Sequence, residues 1–266
     1  MEIGASSACF YPLETEKAFE GIAELGFRYS EIFFNSICEL EPSFVRELKK
    51  IKDAYGMTVV SLHPFRSFSE GFEFYSSYKR RFYDGLEYYK RYFDAAATLG
   101  AEYIVMHGAK GKCDIGIEEY AQRFGELNEL AESNGCVVAH ENVVNFIGQS
   151  VEFMSFMKDT LGDRFKMVLD VKQALRAGVE PCEFIKSVGE SIVHVHLSDY
   201  SDKKDCVAPG VQGKRDFGEL FTMLDKAGYN GRYIIELYSD GYSERQEIMQ
   251  SAEYLQNILN KVKQGG

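Results

Sequence analysis

Four short apolar runs in this chain end in side chains that bind metals or move protons. They are Val137-Val-Ala-His-Glu141, Phe165-Lys-Met-Val-Leu-Asp170, Ser191-Ile-Val-His-Val-His196 and Tyr233-Ile-Ile-Glu236. Three carboxylates and one imidazole make a hard, oxygen-rich donor set, suited to Mn, Mg or Co and less so to a structural zinc. Singly, a strand-end acid also serves to cap a helix or to pair with Lys or Arg. Four at successive strand ends point to one divalent-metal site made of Glu141, Asp170, His196 and Glu236. His63 and His107 end two earlier apolar runs. At the same mouth they would hold a second metal or, as neutral imidazoles, contact a substrate hydroxyl; an internally satisfied histidine is the alternative. Side chains alternate along a strand. His194 therefore shares the face of His196 at a deeper level, and His140, adjacent to Glu141, faces the opposite side.

The elements that position these groups follow from periodicity. Strands are expected at Glu2–Ser6, Tyr29–Phe34, Thr58–His63, Tyr103–His107 and at the four runs above. Helical spacing places helices at Glu14–Leu25, from Pro42 to Tyr55, through Leu99, from Ile117 to Ser133 and from Ser150 to Leu161. Further helices are expected around Pro181 to Val188, from Asp216 to Ala227 and from Ser243 to about Val262. Eight strand-then-helix units predict a parallel sheet closed into a single (β/α)8 TIM barrel spanning residues 1–266. A doubly wound open sheet is the alternative, but the first strand-to-helix turn lacks the G-x-G-x-x-G of a dinucleotide site. The aromatic segment Phe65 to Phe93 becomes helical in its later part. Its early aromatics, before any regular helix, are placed to roof the barrel mouth. The loop Ser201 to Arg215 reads as a solvated charged loop, with binding of an anionic group as the alternative.

Composition sets the bounds. With 30 basic against 41 acidic residues the net charge is −11, which argues against a surface gripping nucleic acid. The six cysteines include no C-x-x-C pair, which reads as a reduced, cytoplasmic protein. Met1-Glu-Ile-Gly leads straight into a strand, so no signal peptide is expected, and no run approaches membrane-spanning length.

The chain resembles the xylose isomerase-like barrel superfamily of sugar isomerases and epimerases, which also includes the class II AP endonucleases. The resemblance covers nearly the whole length. It is carried by Gly26-Phe-Arg-Tyr-Ser-Glu31, Leu62-His-Pro64, Gly100-Ala-Glu-Tyr-Ile-Val-Met-His-Gly108, His140-Glu-Asn142, Leu169-Asp170, His194-Val-His-Leu-Ser-Asp199, Pro209-Gly-x-x-Gly-x-x-Asp-Phe217 and Gly228-Tyr-Asn-Gly-x-Tyr-Ile-Ile-Glu236. It implies that Glu141, Asp170, His196 and Glu236 are metal ligands, with Mn first and Mg, Co or Zn as alternatives. It implies that Glu141 and Glu236 also exchange the proton of a small sugar or related hydroxycarbonyl substrate through an enediolate. His63 and His107 become candidates to contact substrate. So does Gln173, which stands where the superfamily often has histidine. A homodimer or homotetramer is typical of the superfamily. The nucleases fill further zinc positions with that histidine and an Asp-x-His pair; here the pair is Asp205 and Val207. A hydrolase with zinc at His63, His107 and Glu141, and a non-catalytic sugar-binding barrel, are the other readings.

Overall fold

The computed structural model describes residues 2–111 and 113–265. Eight strands pair in chain order, all parallel: β1 (Ile3–Ser6), β2 (Tyr29–Phe33), β3 (Thr58–His63), β4 (Tyr103–Met106), β5 (Val137–Glu141), β6 (Met167–Asp170), β7 (Ile192–Leu197) and β8 (Tyr233–Ile235). β8 closes on β1, with Ile3 opposite Tyr233 and Ala5 opposite Ile235, so the sheet is a barrel and not an open array. Around it lie α1 (Thr15–Glu24), α2 (Pro42–Tyr55), α3 (Ser67–Phe74), α4 (Lys79–Leu99), α5 (Ile117–Ser133), α6 (Val151–Leu161), α7 (Val171–Arg176), α8 (Pro181–Val188), α9 (Phe217–Lys226) and α10 (Gln246–Gly265). Among the described residues, no helix is long and apolar enough to cross a membrane.

Local chemistry sets several of the boundaries. Pro42 opens α2, where a missing N–H costs nothing, and Gly56 closes it in the left-handed region at φ 62°. The Ser150 hydroxyl accepts the Phe153 N–H at 3.1 Å and caps α6. The last helix begins at Gln246, three residues later than its periodicity suggests. The Glu247 carboxylate accepts the N–H groups of Ser243 and Glu244, so the preceding residues form a side-chain-bonded turn. Within β4 the pairing ends at Met106, and His107 lies just beyond it.

Strand alternation divides the barrel in two. Outward residues such as Leu62, Ile104, Leu169 and Val195 pack under the helices in the main core. Inward residues form a smaller cluster of Val105, Ala139 and Val168, with Val193 against it. Glu141 and Asp170 each stand two residues beyond a member of that cluster, so the same alternation carries their side chains inward at the strand ends.

The segment after β3 departs from expectation. It is helical from Ser67 as α3, where the sequence suggested an irregular roof. Phe74 and Tyr75 are fully buried, and Tyr75 stacks on Tyr120 with centroids 3.5 Å apart. Phe68 and Phe72 face solvent. What fixes α3 is a polar anchor that hydrophobic spacing does not report. The buried Glu70 carboxylate accepts the Gly108 N–H at 2.6 Å and the Tyr89 hydroxyl at 2.9 Å, tying α3 to the end of β4 and to α4.

Burial raises the Glu70 carboxyl from its ordinary 4.5 to about 7, despite the opposing pull of His107 and these hydrogen bonds. A folded-state value above the unfolded one means that the native state holds the extra proton. Its contribution is present below the unfolded value and is lost as pH rises through the folded one. Wild-type stability is therefore expected to fall, relative to Glu70→Gln, by about 3 kcal/mol between acid and mildly alkaline pH. Denaturant unfolding of both proteins across this range checks it; parallel pH profiles would remove Glu70 as the cause.

Candidate active site at the barrel mouth

The C-terminal ends of β5 to β8 bring together the four side chains singled out in the sequence. Ligand atoms of Glu141, Asp170, His196 and Glu236 all lie within 4.8 Å of one another. Each reaches the centre through a different local device. Glu141 ends β5. Asn142, next to it, donates from its amide to the Asp170 carbonyl (2.9 Å) and accepts the Asp170 N–H (2.7 Å), locking β5 to β6 at the level of the site. Asp170 divides its carboxylate between two tasks. Oδ1 accepts the Gln173 N–H at 2.8 Å and caps α7, while Oδ2 is buried without a hydrogen-bond partner. One oxygen of this side chain is thus taken by the cap while the other is left free toward the centre. Glu236 follows β8, and its N–H donates to the Leu197 carbonyl at 3.0 Å.

His196 is oriented by a residue that strand-end reasoning missed. Glu31 on β2 is fully buried beneath the mouth, and its Oε2 accepts from His196 Nε2 at 2.9 Å. Ser61 Oγ donates to the same oxygen at 2.8 Å, and His194 Nε2 stands 3.3 Å away. An ionised carboxylate only accepts, so His196 carries a proton on Nε2. Its Nδ1 then faces the other carboxylates, 3.1 Å from Glu141 Oε1 and 3.8 Å from both Asp170 Oδ2 and Glu236 Oε2. From the sequence, Glu31 had no role beyond its place in the resemblance, because it lies inside its strand, where it shares a face with Tyr29 and Phe33. His194 occupies the deeper level expected of it. His140 faces the helices, where its Nε2 meets the Tyr120 hydroxyl at 2.8 Å and burial pushes its pKa down to about 4.

His63 and His107 join the same cluster. His107 Nε2 lies 2.8 Å from Glu141 Oε2 and 3.2 Å from His63 Nε2. These two histidines and Glu141 also lie close enough together to hold an ion. The Gln173 side-chain carbonyl accepts the Val144 N–H at 3.3 Å, which anchors Gln173 to the loop after β5. The second residue missed is Lys172. It is 2% exposed, with Nζ 2.9 Å from Glu236 Oε2 and 3.4 Å from Asp170 Oδ2.

The charges hold one another in place. Burial opposes ionisation of Glu141, yet His107, His196 and His63 keep it well below the usual carboxylate range. Burial likewise opposes ionisation of Glu31, and His196 and His194 outweigh it. Burial works against the charged form of His63, but the Glu141 hydrogen bond and the charge of Glu31 raise it to about 9. For Asp170 burial prevails and the carboxyl rises to about 6. Glu236 is lowered, since Lys172 and His196 outweigh its burial.

A cavity of about 460 Å³ opens above, lined by Tyr11, Phe33, Phe65 and Tyr238 and reaching Glu236. Of the early aromatics expected to cover the mouth, Phe65 lines this cavity. A second cavity of about 790 Å³ lies beyond Tyr238 and is lined by the loop after β7. That loop is shaped from Asp199, whose Oδ1 accepts the N–H groups of Tyr200, Lys214 and Arg215. Three of its cations are already paired, Lys204 with Asp240, Lys214 with Asp202 and Arg215 with Glu180, and Arg176 of α7 pairs with the loop's Asp205.

Comparison with known proteins agrees with this architecture. The family model described as xylose isomerase-like TIM barrel matches residues 19–258. The uncharacterized protein Rv0498 of Mycobacterium tuberculosis is 26% identical, and the match covers 96% of each chain. The crystal structure of a D-tagatose 3-epimerase-like protein superposes with a TM-score of 0.80 at 22% identity, covering 100% of this chain and 99% of that one. The IOLI protein with a bound zinc atom superposes at 0.78 with 20% identity, covering 98% and 99%. At these identities the structural matches establish the fold.

Removing the charge of Glu31 leaves His194 and His196 without their shared anion. Glu31→Gln is expected to lower unfolding free energy by about 3 kcal/mol at neutral pH, the scale for breaking a buried ion pair. Denaturant titration measures this; unchanged stability would mean that Glu31 carries no charge there.

Proposed function

Because the chain belongs to the xylose isomerase-like TIM barrel family and gathers these groups beneath a cavity of small-molecule size, we propose that it is a divalent-metal-dependent isomerase or epimerase. Its substrate in this reading is a small sugar or related hydroxycarbonyl compound. The observation that carries the reading is the convergence of Glu141, Asp170, His196 and Glu236 within 4.8 Å, at the mouth where barrels of this kind place their chemistry. The residues fit a divalent cation. The orphaned Asp170 Oδ2 is a buried acceptor facing the other ligands, and Glu31 leaves His196 Nδ1 turned toward them. The oxygen-rich set favours Mn, with Mg, Co or Zn as alternatives.

A bound divalent ion would supply Lewis-acid stabilisation of the negative charge that develops on the substrate oxygens. Glu236 is the better placed base: it reaches the cavity, and Lys172 and His196 keep it ionised at neutral pH. It takes the proton from the carbon next to the carbonyl. Glu141 is more enclosed and is hydrogen-bonded through both oxygens, to His196 and His107. Ionised at rest, it must take up a proton before it delivers one to the opposite face of the carbon, and Glu236 releases the proton it took to solvent; His107 Nε2, 2.8 Å from Glu141 Oε2, is the adjacent proton carrier. His63 and His107 hydrogen-bond substrate hydroxyls. With its carbonyl held by Val144, Gln173 has its amide N–H groups left for a substrate oxygen. Tyr11, Phe33 and Phe65 keep bulk water from the carbanion.

The test is incubation of Mn-loaded protein with a panel of ketoses, free and phosphorylated, in deuterated water, followed by NMR. A new isomer deuterated at the reacting carbon is the expected result. A new isomer without deuterium would count against the two-glutamate transfer, and no conversion of any sugar would overturn the reading. On the substrate found, Glu236→Gln is expected to reduce turnover by at least about a hundredfold while the fold is retained, as judged by circular dichroism. Full activity in that variant would remove Glu236 as the base.

A further inference from the structure

We propose that Lys172 is the residue that sets the metal affinity of this centre, as a fixed cation sharing two ligand oxygens with the ion. The proposal rests on the metal-centre reading above. Lys172 stands two residues beyond Asp170, in the first turn of α7. A helix N-terminus disfavours a cation, so the helix does not account for a buried lysine there. The carboxylates do. The Lys172 ammonium lies 2.9 Å from Glu236 Oε2 and 3.4 Å from Asp170 Oδ2, and its Nζ is 4.8 Å from the centre of the Tyr238 ring. The ammonium hydrogen-bonds Glu236, lies within ion-pair distance of the otherwise unpartnered Asp170 Oδ2 and stands over an aromatic face, so its neighbours are ligand groups of the centre.

The same two oxygens, Oδ2 of Asp170 and Oε2 of Glu236, are those that approach His196 Nδ1, at 3.8 Å each. They point into the space a metal would take. An incoming divalent ion must therefore draw Asp170 and Glu236 away from the ammonium, or share them against like-charge repulsion at close range. In either case Lys172 weakens metal binding. Before metal arrives, the ammonium offsets part of the charge of the three clustered carboxylates and keeps the site assembled.

The experiment is titration of chelator-treated full-length protein with MnCl2, reading free Mn by electron paramagnetic resonance. Wild type is compared with Lys172→Met, Lys172→Gln, Lys172→Arg and the ligand control Asp170→Asn. The two neutral variants are expected to bind Mn at least about tenfold more tightly than wild type, given the Coulomb energy of a unit charge this close to a divalent ion. They should also show a larger rise in thermal midpoint on Mn addition. Lys172→Arg should stay near wild type. Equal or weaker binding in both folded neutral variants, with Asp170→Asn abolishing binding, would overturn this proposal and leave the metal-centre reading standing. If Asp170→Asn binds Mn as wild type does, the ion lies elsewhere and both fall. Should neither neutral variant fold, the wild-type Lys172 Nζ resonance followed through a Zn titration decides. Displacement of the signal supports the sharing of ligands, and an unmoved signal overturns it.

Discussion

Negative charge gathered in a nearly dry space is the constraint on which the mouth of this barrel depends. Glu31, Glu141 and Asp170 are buried, and Glu236 reaches them from the rim of the cavity. Two unit charges about 4 Å apart interact by about 4 kcal/mol even at an effective dielectric of 20. Such a cluster stays ionised only if cations are built in among its members. His196 bridges Glu31 below and Glu141 above, His107 and His63 attend Glu141, and Lys172 attends Asp170 and Glu236. The uneven response of the carboxyls follows from how this compensation is shared out. Glu141 and Glu31 are held low by imidazoles, whereas Asp170 keeps one oxygen unsatisfied and rises to about 6.

The scaffold serves that cluster in layers. An apolar plug of Val105, Ala139 and Val168 fills the interior, and Glu31, Ser61 and His194 form a polar group that fixes the orientation of His196. Glu141, Asp170 and Glu236 lie above it. Parallel strands with ends at one level allow this, because each inward position two residues further along rises by one layer. Asn142 and the Asp170 cap hold the β5 and β6 ends in register, and Asp199 shapes the loop beyond β7. α3 is secured by Glu70 rather than by an apolar stripe alone, so the aromatic wall beside the mouth depends on a buried carboxyl that titrates near neutrality.

Family membership and the superposed structures agree on the barrel that carries the site. Lys172 gives the centre its own character. In the metal-dependent reading, two carboxylates serve both a metal ion and an ammonium group, so electrostatic competition inside the site governs how firmly the ion is held. In that reading the ammonium also helps to keep Glu236 ionised.

The sequence by itself determined the barrel and the four strand-end groups that meet at its mouth. Strand runs ending in Glu141, Asp170, His196 and Glu236, separated by helices with clear stops, carry that information locally, since period-two alternation and C-terminal placement are properties of each run alone. His194 and His140 were assigned to their faces by the same rule. Only the tertiary structure decided the partners. Glu31 lies within its strand and becomes part of the site because the barrel curves β2 toward β7, 165 residues away. Lys172 has the composition of a surface residue and is buried because the chain after β6 turns it toward Glu236, 64 residues on. The helix at Ser67–Phe74 depends on Glu70 reaching Gly108 across 38 residues. Charge compensation is a pairwise, through-space requirement, and no local pattern records which distant residue will satisfy it.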